Sequence, residues 1–309
     1  MENRCAQETQ GVPLRRILGD ALRIPLEQHV SAYLGRAWRV MKAQDKSHSA
    51  SHAAAILSDD TYAVFVKVGE GGLACDQFTK ELDGLRFLTE HSGVLTPTGI
   101  GIIQVGGAVL LMLEAVQLVE RERVHWRQMG RALARIHSIK WDWYGFESYC
   151  YWGSLYQDNA PLLAWVDFYQ ERRLAPRLRA AIDSGHLPLD VVPHLERLSS
   201  QLHGLCGPTV EPSLLHGDAH QNNFLSTAKG PVVIDPAVYY GHPEMDLAFV
   251  DFFAPVSEEL FQGYQEITPL EPGFAERRDL WRIPAWLAMV EVDGPQHLDK
   301  LLVALRHYV

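Results

Sequence analysis

One short β-like segment interrupts an otherwise helical second half of the chain, and it limits the possible folds more than any other feature. It spans residues 213–236 and reads SLLHGDAHQNNFLSTAKGPVVIDP. Two apolar runs, FL and VVI, flank the polar turn AKG, which predicts a β-hairpin. Because antiparallel partners pair by reflection about the turn, we expect Leu225 opposite Val232 and Phe224 opposite Val233.

The residues around this hairpin form a group of oxygen-bearing side chains suited to phosphoryl transfer. The hairpin should bring Asn223 and Asp235 together at its open end, and Asp218 lies shortly before Asn223. Amide and carboxylate oxygens are ligands that Mg²⁺ prefers. A kinase needs one Asp free to deprotonate a hydroxyl while an Asn and another Asp hold the metal. Each residue alone is typical of a turn or cap, but their convergence favours a catalytic site.

The first 115 residues show the alternating apolar pattern of strands, interrupted by one helix. Helical spacing is expected over 76–90 and, ahead of the strands, over 13–34. Gly106-Gly107 allows the tight turn of a further hairpin. The strand patterns cover residues 37–43, 53–58, 61–68 and the two runs that flank Gly106-Gly107. They predict a five-stranded antiparallel sheet with one internal helix, an order similar to the small lobe of kinases.

After residue 116 the pattern becomes mainly helical. Helices are predicted around 126–136 and over 161–183, 190–204, 245–264 and 274–307. The chain length of 309 residues is about twice that of a usual domain, which favours two lobes with a cleft between them. We therefore expect an α+β, bilobal, protein-kinase-like fold. Residues 1–115 would form the nucleotide-binding lobe, and residues 116–309 the catalytic and substrate-binding lobe.

Lys67 and Glu81 are the residues of the first lobe that carry chemistry. Lys67 ends the third predicted strand, and Glu81 lies on or beside the apolar stripe of the following helix. A carboxylate that faces the interior needs a cation, and Lys67, on the strand just before that helix, is the expected partner. Such a pair positions a lysine against nucleotide phosphates in kinases. A purely structural ion pair is the alternative.

Composition excludes several classes of partner and location. The formal charge of −10 opposes binding to nucleic acid, which requires basic surfaces. The four cysteines, at positions 5, 75, 150 and 206, have no paired spacing, which indicates a reducing compartment and no zinc site. The N-terminal sequence MENRCAQETQ has no apolar core of the kind found in signal peptides, and the longest apolar run, residues 108–113, is far shorter than a membrane span. We expect a cytoplasmic protein that contacts neither nucleic acid nor membrane.

Several motifs resemble the fructosamine kinases, also called ketosamine kinases, within the superfamily of aminoglycoside phosphotransferases and protein-kinase-like enzymes. The resemblance runs from about residue 28 to the end of the chain. HGDxxxxN followed by an Asp is shared across aminoglycoside, choline and homoserine kinases. More particular to fructosamine kinases are DPAVYYGHPEMDLA, and YGF followed by WVDFYQERRL at 165–174. The remaining motifs are FVKV, FxxExxxL, LLHGD and EPGFAERRDLW.

The resemblance implies an ATP-dependent kinase that phosphorylates a sugar hydroxyl of a ketosamine, such as a fructosamine or ribulosamine. The acceptor would be a small amine-bearing sugar or a glycated lysine on a protein, and the family chemistry implies the 3-hydroxyl and a deglycation role. The resemblance also implies a role for each residue that matches a motif of the family. Asp218 would be the base, Asn223 and Asp235 the Mg²⁺ ligands, Lys67 and Glu81 the phosphate-binding pair, Glu114 and Val116 the adenine contacts, and His216 and Asp246 the structural support.

One departure from the family pattern leaves the identity of the phosphoryl acceptor open. Between the base and the Asn, the family commonly has Leu-Trp-Ser-Gly, whereas residues 219–222 read AHQN. His220 and Gln221 are the residues of this stretch that could face substrate. The departure supports an alternative acceptor, namely an aminoglycoside, choline or another amino alcohol. A catalytically inactive nucleotide-sensing module is a more distant alternative. For Trp141, Trp143, Trp152 and Trp165, packing is favoured over a substrate wall.

Overall fold

The computed structural model describes residues 12–47 and 52–308. An antiparallel sheet is followed by a mainly helical part, which confirms the predicted α+β architecture. The strands are β1 (Lys42–Asp45), β2 (Ala53–Ser58), β3 (Ala63–Glu70), β4 (Gly99–Val105), β5 (Ala108–Glu114), β6 (Cys150–Trp152), β7 (Leu155–Gln157), β8 (Ser213–Leu215), β9 (Phe224–Thr227), β10 (Gly230–Val233) and β11 (Tyr239–Gly241). The helices are α1 (Val12–Leu18), α2 (Asp20–Leu34), α3 (Gly71–Ser92), α4 (Arg123–His137), α5 (Trp165–Phe168), α6 (Ala175–Asp183), α7 (Val192–Leu205), α8 (Glu244–Phe249), α9 (Glu258–Gln265), α10 (Phe274–Asp293) and α11 (Leu298–Leu305).

The large sheet has the strand order β1-β2-β3-β5-β4, and all neighbours are antiparallel. The alternation of side chains along β3 sends successive residues to opposite faces. Val64 and Val66 enter the core that the sheet forms with α1 and α2. Phe65 packs on the other face with residues of α3. Lys67 shares the face of Phe65, so the strand aims its ammonium group towards α3.

The first strand is shorter than predicted and begins later. The prediction covered 37–43, whereas β1 covers Lys42–Asp45. Side chains of α2 accept hydrogen bonds from the backbone amides that precede β1. The hydroxyl of Ser31 accepts from the Trp38 amide, and Glu27 accepts from the Val40 amide at 3.0 Å. These bonds to side chains replace a strand ladder at those positions.

Helix α3 ends at Ser92, two residues beyond the predicted range. Its C-cap Gly93 has a φ of 67°, a left-handed conformation that glycine adopts without strain. The helix begins at Gly71, earlier than the predicted 76, and its apolar face includes Phe78, Leu82 and Leu85. Glu81 lies beside this face, as the spacing predicts.

The helices of the second half are shorter than their apolar patterns suggest. The predicted helix 245–264 is two helices, α8 and α9, separated by a segment that contains Pro255. The predicted helix 274–307 breaks at Gly294-Pro295, where a 3-10 turn separates α10 and α11. Between α5 and α6 the chain forms a π-helix, Tyr169–Leu174. Glycine and proline cause the two breaks because neither continues a helix easily.

The predicted hairpin is present as β9 and β10. Leu225 lies opposite Val232 and Phe224 opposite Val233, which confirms the register. Two further pairs of strands had no prediction. Strand β8 pairs with β11, and β6 pairs with β7 across a turn at Gly153, which has a φ of 59°.

Sequence analysis predicted that the chain has no membrane span and no paired cysteines. None of the helices in the described part of the chain is long and apolar enough to cross a membrane. Cys75, Cys150 and Cys206 are free thiols, and Cys5 lies outside the described residues.

Candidate active site

A cleft of about 890 Å³ separates the large sheet from the β9–β10 hairpin. Its walls come from distant parts of the sequence. The sequence-predicted residues that line it are Lys67, Glu81, Glu114, Val116, Asp218, His220, Asn223 and Asp235. The fold therefore gathers the predicted phosphate-binding, base and metal-binding residues around one volume.

Lys67 connects the sheet to the hairpin through two carboxylates. Its Nζ donates to both oxygens of Glu81, at 2.8 and 2.9 Å, and to Oδ1 of Asp235 at 2.5 Å. Burial opposes the charged ammonium, but attraction to Asp235 and Glu81 outweighs it and raises the pKa of Lys67. Burial likewise opposes the charge on Asp235, and attraction to Lys67 lowers the pKa of that carboxyl. Burial raises the pKa of Glu81 to about 8. The charges at the floor of the cleft are therefore those of Lys67 and Asp235, and Glu81 holds Lys67 in place by hydrogen bonds.

Asp218 is held in a defined orientation by groups on both sides. The amide of Asn223 donates to the Asp218 backbone carbonyl at 2.8 Å and to its Oδ2 at 3.2 Å. The indole Nε1 of Trp152 donates to Oδ1 at 2.7 Å. Burial raises the pKa of Asp218, and these two hydrogen bonds oppose the rise. A partly desolvated carboxylate with a raised pKa is suited to act as a general base.

Hydrogen bonds to Asp246 hold the loop that precedes Asp218. The carboxylate of Asp246 accepts from the backbone amides of His216, at 2.7 Å, and Gly217, at 3.0 Å. His216 is fully buried, its Nε2 lies 2.9 Å from the carbonyl of Ile234, and its Nδ1 accepts from the Asp218 amide. These contacts agree with the supporting positions predicted for His216 and Asp246.

Asn223 and Asp235 meet at the open end of the hairpin, as the sequence predicts. The amide of Ile234 donates to the Asn223 carbonyl at 3.0 Å, which fixes the two ends of the hairpin side by side. Asp235 has a φ of 51°, a conformation that is uncommon outside glycine and that recurs at functional sites. Because the Asn223 amide nitrogen donates to Asp218, the side-chain oxygen remains for a ligand. One amide oxygen and one carboxylate fit the donor set of Mg²⁺.

Of the other predicted residues, Glu114, Val116 and His220 line the cleft and Gln221 does not. Glu114 and Val116 line it at the end of β5, where the chain passes to the helical part. His220 also lines it, with Nε2 3.8 Å from Asp218 Oδ2, and burial lowers the pKa of its imidazole. Gln221 does not face the cleft, contrary to expectation. The 3-10 turn Gln221–Asn223 directs it inward, where it is 5% exposed and its backbone amide donates to Val250.

Two residues of the site had no role in the sequence prediction. Trp152 was interpreted as packing, and the structure places its indole nitrogen on the predicted base. His137, on α4, is buried with Nε2 3.1 Å from Asp246 and Nδ1 2.9 Å from the Tyr264 hydroxyl. The HGD motif gives no indication of either residue, because both reach the loop from separate elements.

Comparisons with known proteins agree with this geometry. The family model described as fructosamine kinase matches residues 25–308. A Vibrio parahaemolyticus protein named "probable ketoamine kinase" is 29% identical over 263 residues, which cover 82% of this chain and 88% of that protein. The crystal structure of a Thermobifida fusca protein named "putative fructosamine-3-kinase" superposes with a TM-score of 0.80 and 28% identity. It covers 91% of this chain and 97% of that chain.

A more distant solved structure shows the fold alone. An aminoglycoside phosphotransferase is 14% identical with a TM-score of 0.60, covering 91% of this chain and 96% of that chain. The architecture is thus shared with phosphotransferases, whereas the match to the family model extends over most of the chain. Together these findings show that the chain belongs to the fructosamine kinase family.

Proposed function

We propose that this chain transfers the γ-phosphoryl group of ATP to a hydroxyl of a ketosamine, a sugar joined to an amine. The family to which it belongs supports ATP as the phosphoryl donor and ketosamines as acceptors. The observation that carries the proposal is the convergence of Lys67, Asp218 and Asp235 on one cleft. Lys67 lies 168 residues before Asp235 in the sequence, so its position beside the two aspartates is a property of the fold.

Each residue has a role that its geometry supports. Asp218 is the base: its carboxylate is held by Trp152 and Asn223 in an orientation that can accept the proton of the attacking hydroxyl. Lys67, fixed by Glu81, supplies positive charge for the phosphates of the nucleotide. The backbone at Glu114 and Val116 would contact adenine.

Asn223 and Asp235 would hold Mg²⁺, which offsets negative charge on the β- and γ-phosphates when it is bound. The hairpin keeps these two residues adjacent without help from the metal. Residues 1–115 would then form the nucleotide-binding lobe and residues 116–309 the catalytic lobe. Pre-organised charge of this kind is the main means by which proteins accelerate phosphoryl transfer.

The acceptor is tested by measuring ATP consumption with fructosyl-lysine, ribulosyl-lysine, a glycated protein, an aminoglycoside and choline. We expect turnover with the ketosamines and none above background with the aminoglycoside or choline. Turnover confined to the aminoglycoside or choline would contradict the ketosamine acceptor. Nucleotide binding without any turnover would instead support a sensing module.

A further inference from the structure

Helix α3 and the hairpin β6–β7 meet at the wall of the cleft. Lys80 of α3 and Tyr151 of β6 both line it. The helix packs on the large sheet, whereas the hairpin follows α4 in the helical part of the chain. This contact therefore joins the two parts of the protein on either side of the cleft.

Asp76, on the first half of α3, accepts hydrogen bonds from two tyrosines of the hairpin region. The hydroxyl of Tyr151 donates to its Oδ2 at 2.6 Å, and the hydroxyl of Tyr149 donates to its Oδ1 at 3.1 Å. Lys80, one turn further along α3, donates to the Ser148 hydroxyl at 2.6 Å, and its Nζ lies 4.5 Å from the centre of the Tyr149 ring. Hydrogen bonds to charged groups are the stronger ones in proteins. One turn of α3 thus holds the start of the hairpin at three residues.

Strand β6 connects this contact to the proposed base. Successive side chains of a strand point to opposite faces. Tyr151 therefore faces α3, whereas Trp152, the next residue, faces the catalytic loop. There its indole nitrogen donates to the carboxylate of Asp218 at 2.7 Å. A displacement of Tyr151 consequently moves the indole that orients the base.

The hairpin is too short to hold this orientation by itself. Each of its strands has three paired residues, and an isolated two-stranded hairpin is at best marginally stable in water. In the helical part, the Phe249 ring lies 5.0 Å from the ring of Trp152, and Asn159 donates to the sulfur of Cys150. Both contacts are on the Trp152 face of the strand. The opposite face is the one that Asp76 holds.

The same helix also holds the proposed phosphate-binding lysine. Glu81 lies further along α3 than Asp76, and both of its oxygens accept from Lys67 Nζ, at 2.8 and 2.9 Å. Helix α3 thus contacts the phosphate-binding residue through Glu81 and the support of the base through Asp76. Because a helix is rigid over this length, it fixes the spacing of the two functions. Correct mutual placement of reacting groups is a large part of catalysis.

We propose that Asp76 is a positioning residue for phosphoryl transfer, which acts on Asp218 through Tyr151 and Trp152. The inference rests on the proposed function, since it requires Asp218 to be the base. Asp76 is not one of the described residues that line the cleft. An effect of its removal on the rate is therefore transmitted by the hairpin.

The first test measures phosphoryl transfer from ATP to fructosyl-lysine by Asp76→Ala, which removes both hydrogen bonds and favours the helix. We expect kcat to fall by about threefold to tenfold, with the KM for ATP unchanged because the Lys67–Glu81 pair is retained. Tyr151→Phe removes one of the two bonds and keeps the ring, and should give a smaller fall. The control Asp83→Ala removes a carboxylate from an exposed position of the same helix and should keep kcat.

A double-mutant cycle separates positioning from a general structural effect. In Trp152→Phe the hydrogen bond that Asp76 supports is already absent. Adding Asp76→Ala to this variant should therefore change kcat by less than about twofold. An equal fall in kcat in both backgrounds, or a wild-type kcat in Asp76→Ala, would overturn the proposal.

NMR of the tryptophan indole N–H groups gives a readout that needs no turnover. The chain has eight tryptophans, and the Trp152 signal is the one missing from the spectrum of Trp152→Phe. We expect this signal to move in Asp76→Ala and to keep its position in Asp83→Ala. An unmoved signal in Asp76→Ala overturns the proposal. If the wild-type protein phosphorylates no ketosamine, a moved signal supports the hold of Asp76 on Trp152 and contradicts the proposed reaction.

Discussion

The indole Nε1 of Trp152 lies 2.7 Å from Oδ1 of Asp218 and donates a hydrogen bond to it. The other carboxylate oxygen receives the amide of Asn223 at 3.2 Å. Asp218 is thereby held from two directions, by a hairpin of the helical part and by its own loop. This arrangement fixes the orientation of the base before a substrate arrives, which reduces the reorganisation needed in the reaction.

Trp152→Phe removes this hydrogen bond and keeps the aromatic contact with Phe249. We expect kcat to fall by about tenfold to a hundredfold, because a hydrogen bond to a charged group is lost, with the KM for ATP unchanged. Since the bond opposes the rise in the Asp218 pKa, its loss raises that pKa further. The acidic limb of the pH–rate profile should therefore move to higher pH. Trp141→Phe, at an exposed position, serves as the control, and an unmoved limb in Trp152→Phe would contradict the assigned role.

Lys67→Met tests the charged group at the floor of the cleft. The variant leaves Glu81 and Asp235 facing each other without their shared cation. We expect kcat/KM for ATP to fall by about a hundredfold to a thousandfold, because a pre-organised positive charge is lost. Steady-state kinetics measure this effect. The exposed Lys42→Met is the matched control, and an equal effect in both variants would refute the role of Lys67.

Gly217→Ala should unfold or strongly destabilise the protein. Gly217 has a φ of 81°, and an added Cβ would collide with the carbonyl oxygen of Ala237. We expect a loss of more than about 3 kcal/mol in the free energy of unfolding, from strain and collision together. Gly204→Ala, in helix α7 with open space around the added Cβ, should gain about 0.5–1 kcal/mol. Urea denaturation of both variants measures the difference, and a stable Gly217→Ala would contradict the loop geometry.

His242 should make stability depend on pH. It is fully buried, and burial together with the charge of Arg277 lowers its pKa to about 3. The unfolded chain takes up the proton near pH 6.5, so the contribution of His242 is complete above that pH and is lost as pH falls towards 3. Between pH 6.5 and 5 the loss from this residue is about 2 kcal/mol.

Urea denaturation across this pH range tests the effect in His242→Asn, in which the amide oxygen can still accept from the Glu244 amide. The slope of stability against pH should decrease in this variant and stay as in the wild type in the exposed variant His203→Asn. An unchanged slope in His242→Asn would show that His242 is not buried in its neutral form.

Local patterns predicted the centre of the site. Period-two alternation placed Lys67 on the face of β3 that meets α3, and helical spacing placed Glu81 beside that helix's apolar stripe. Reflection about a polar turn gave the pairing of Leu225 with Val232. In each case the position of the residue is set by interactions within one helix or strand, or between two consecutive ones. Such interactions can be predicted from a short stretch of sequence.

What the sequence did not predict depends on contacts between distant elements. Strand β1 begins late because Glu27 and Ser31 of α2 bind the backbone before it. Trp152 reaches Asp218 because a short hairpin after α4 folds back on the loop. The adjacency of Gln221 to the catalytic loop suggested a place in the cleft, but the local turn directs this side chain into the interior.

The rate of phosphoryl transfer from ATP to fructosyl-lysine by Asp218→Asn tests whether Asp218 is the general base. The substituted amide keeps the size of the side chain and can still accept from Trp152, but it cannot accept the proton of the attacking hydroxyl. We expect kcat to fall by at least about a hundredfold while ATP binding, measured by calorimetry, is retained. Transfer by Asp218→Asn at a rate within about threefold of the wild type would contradict the account.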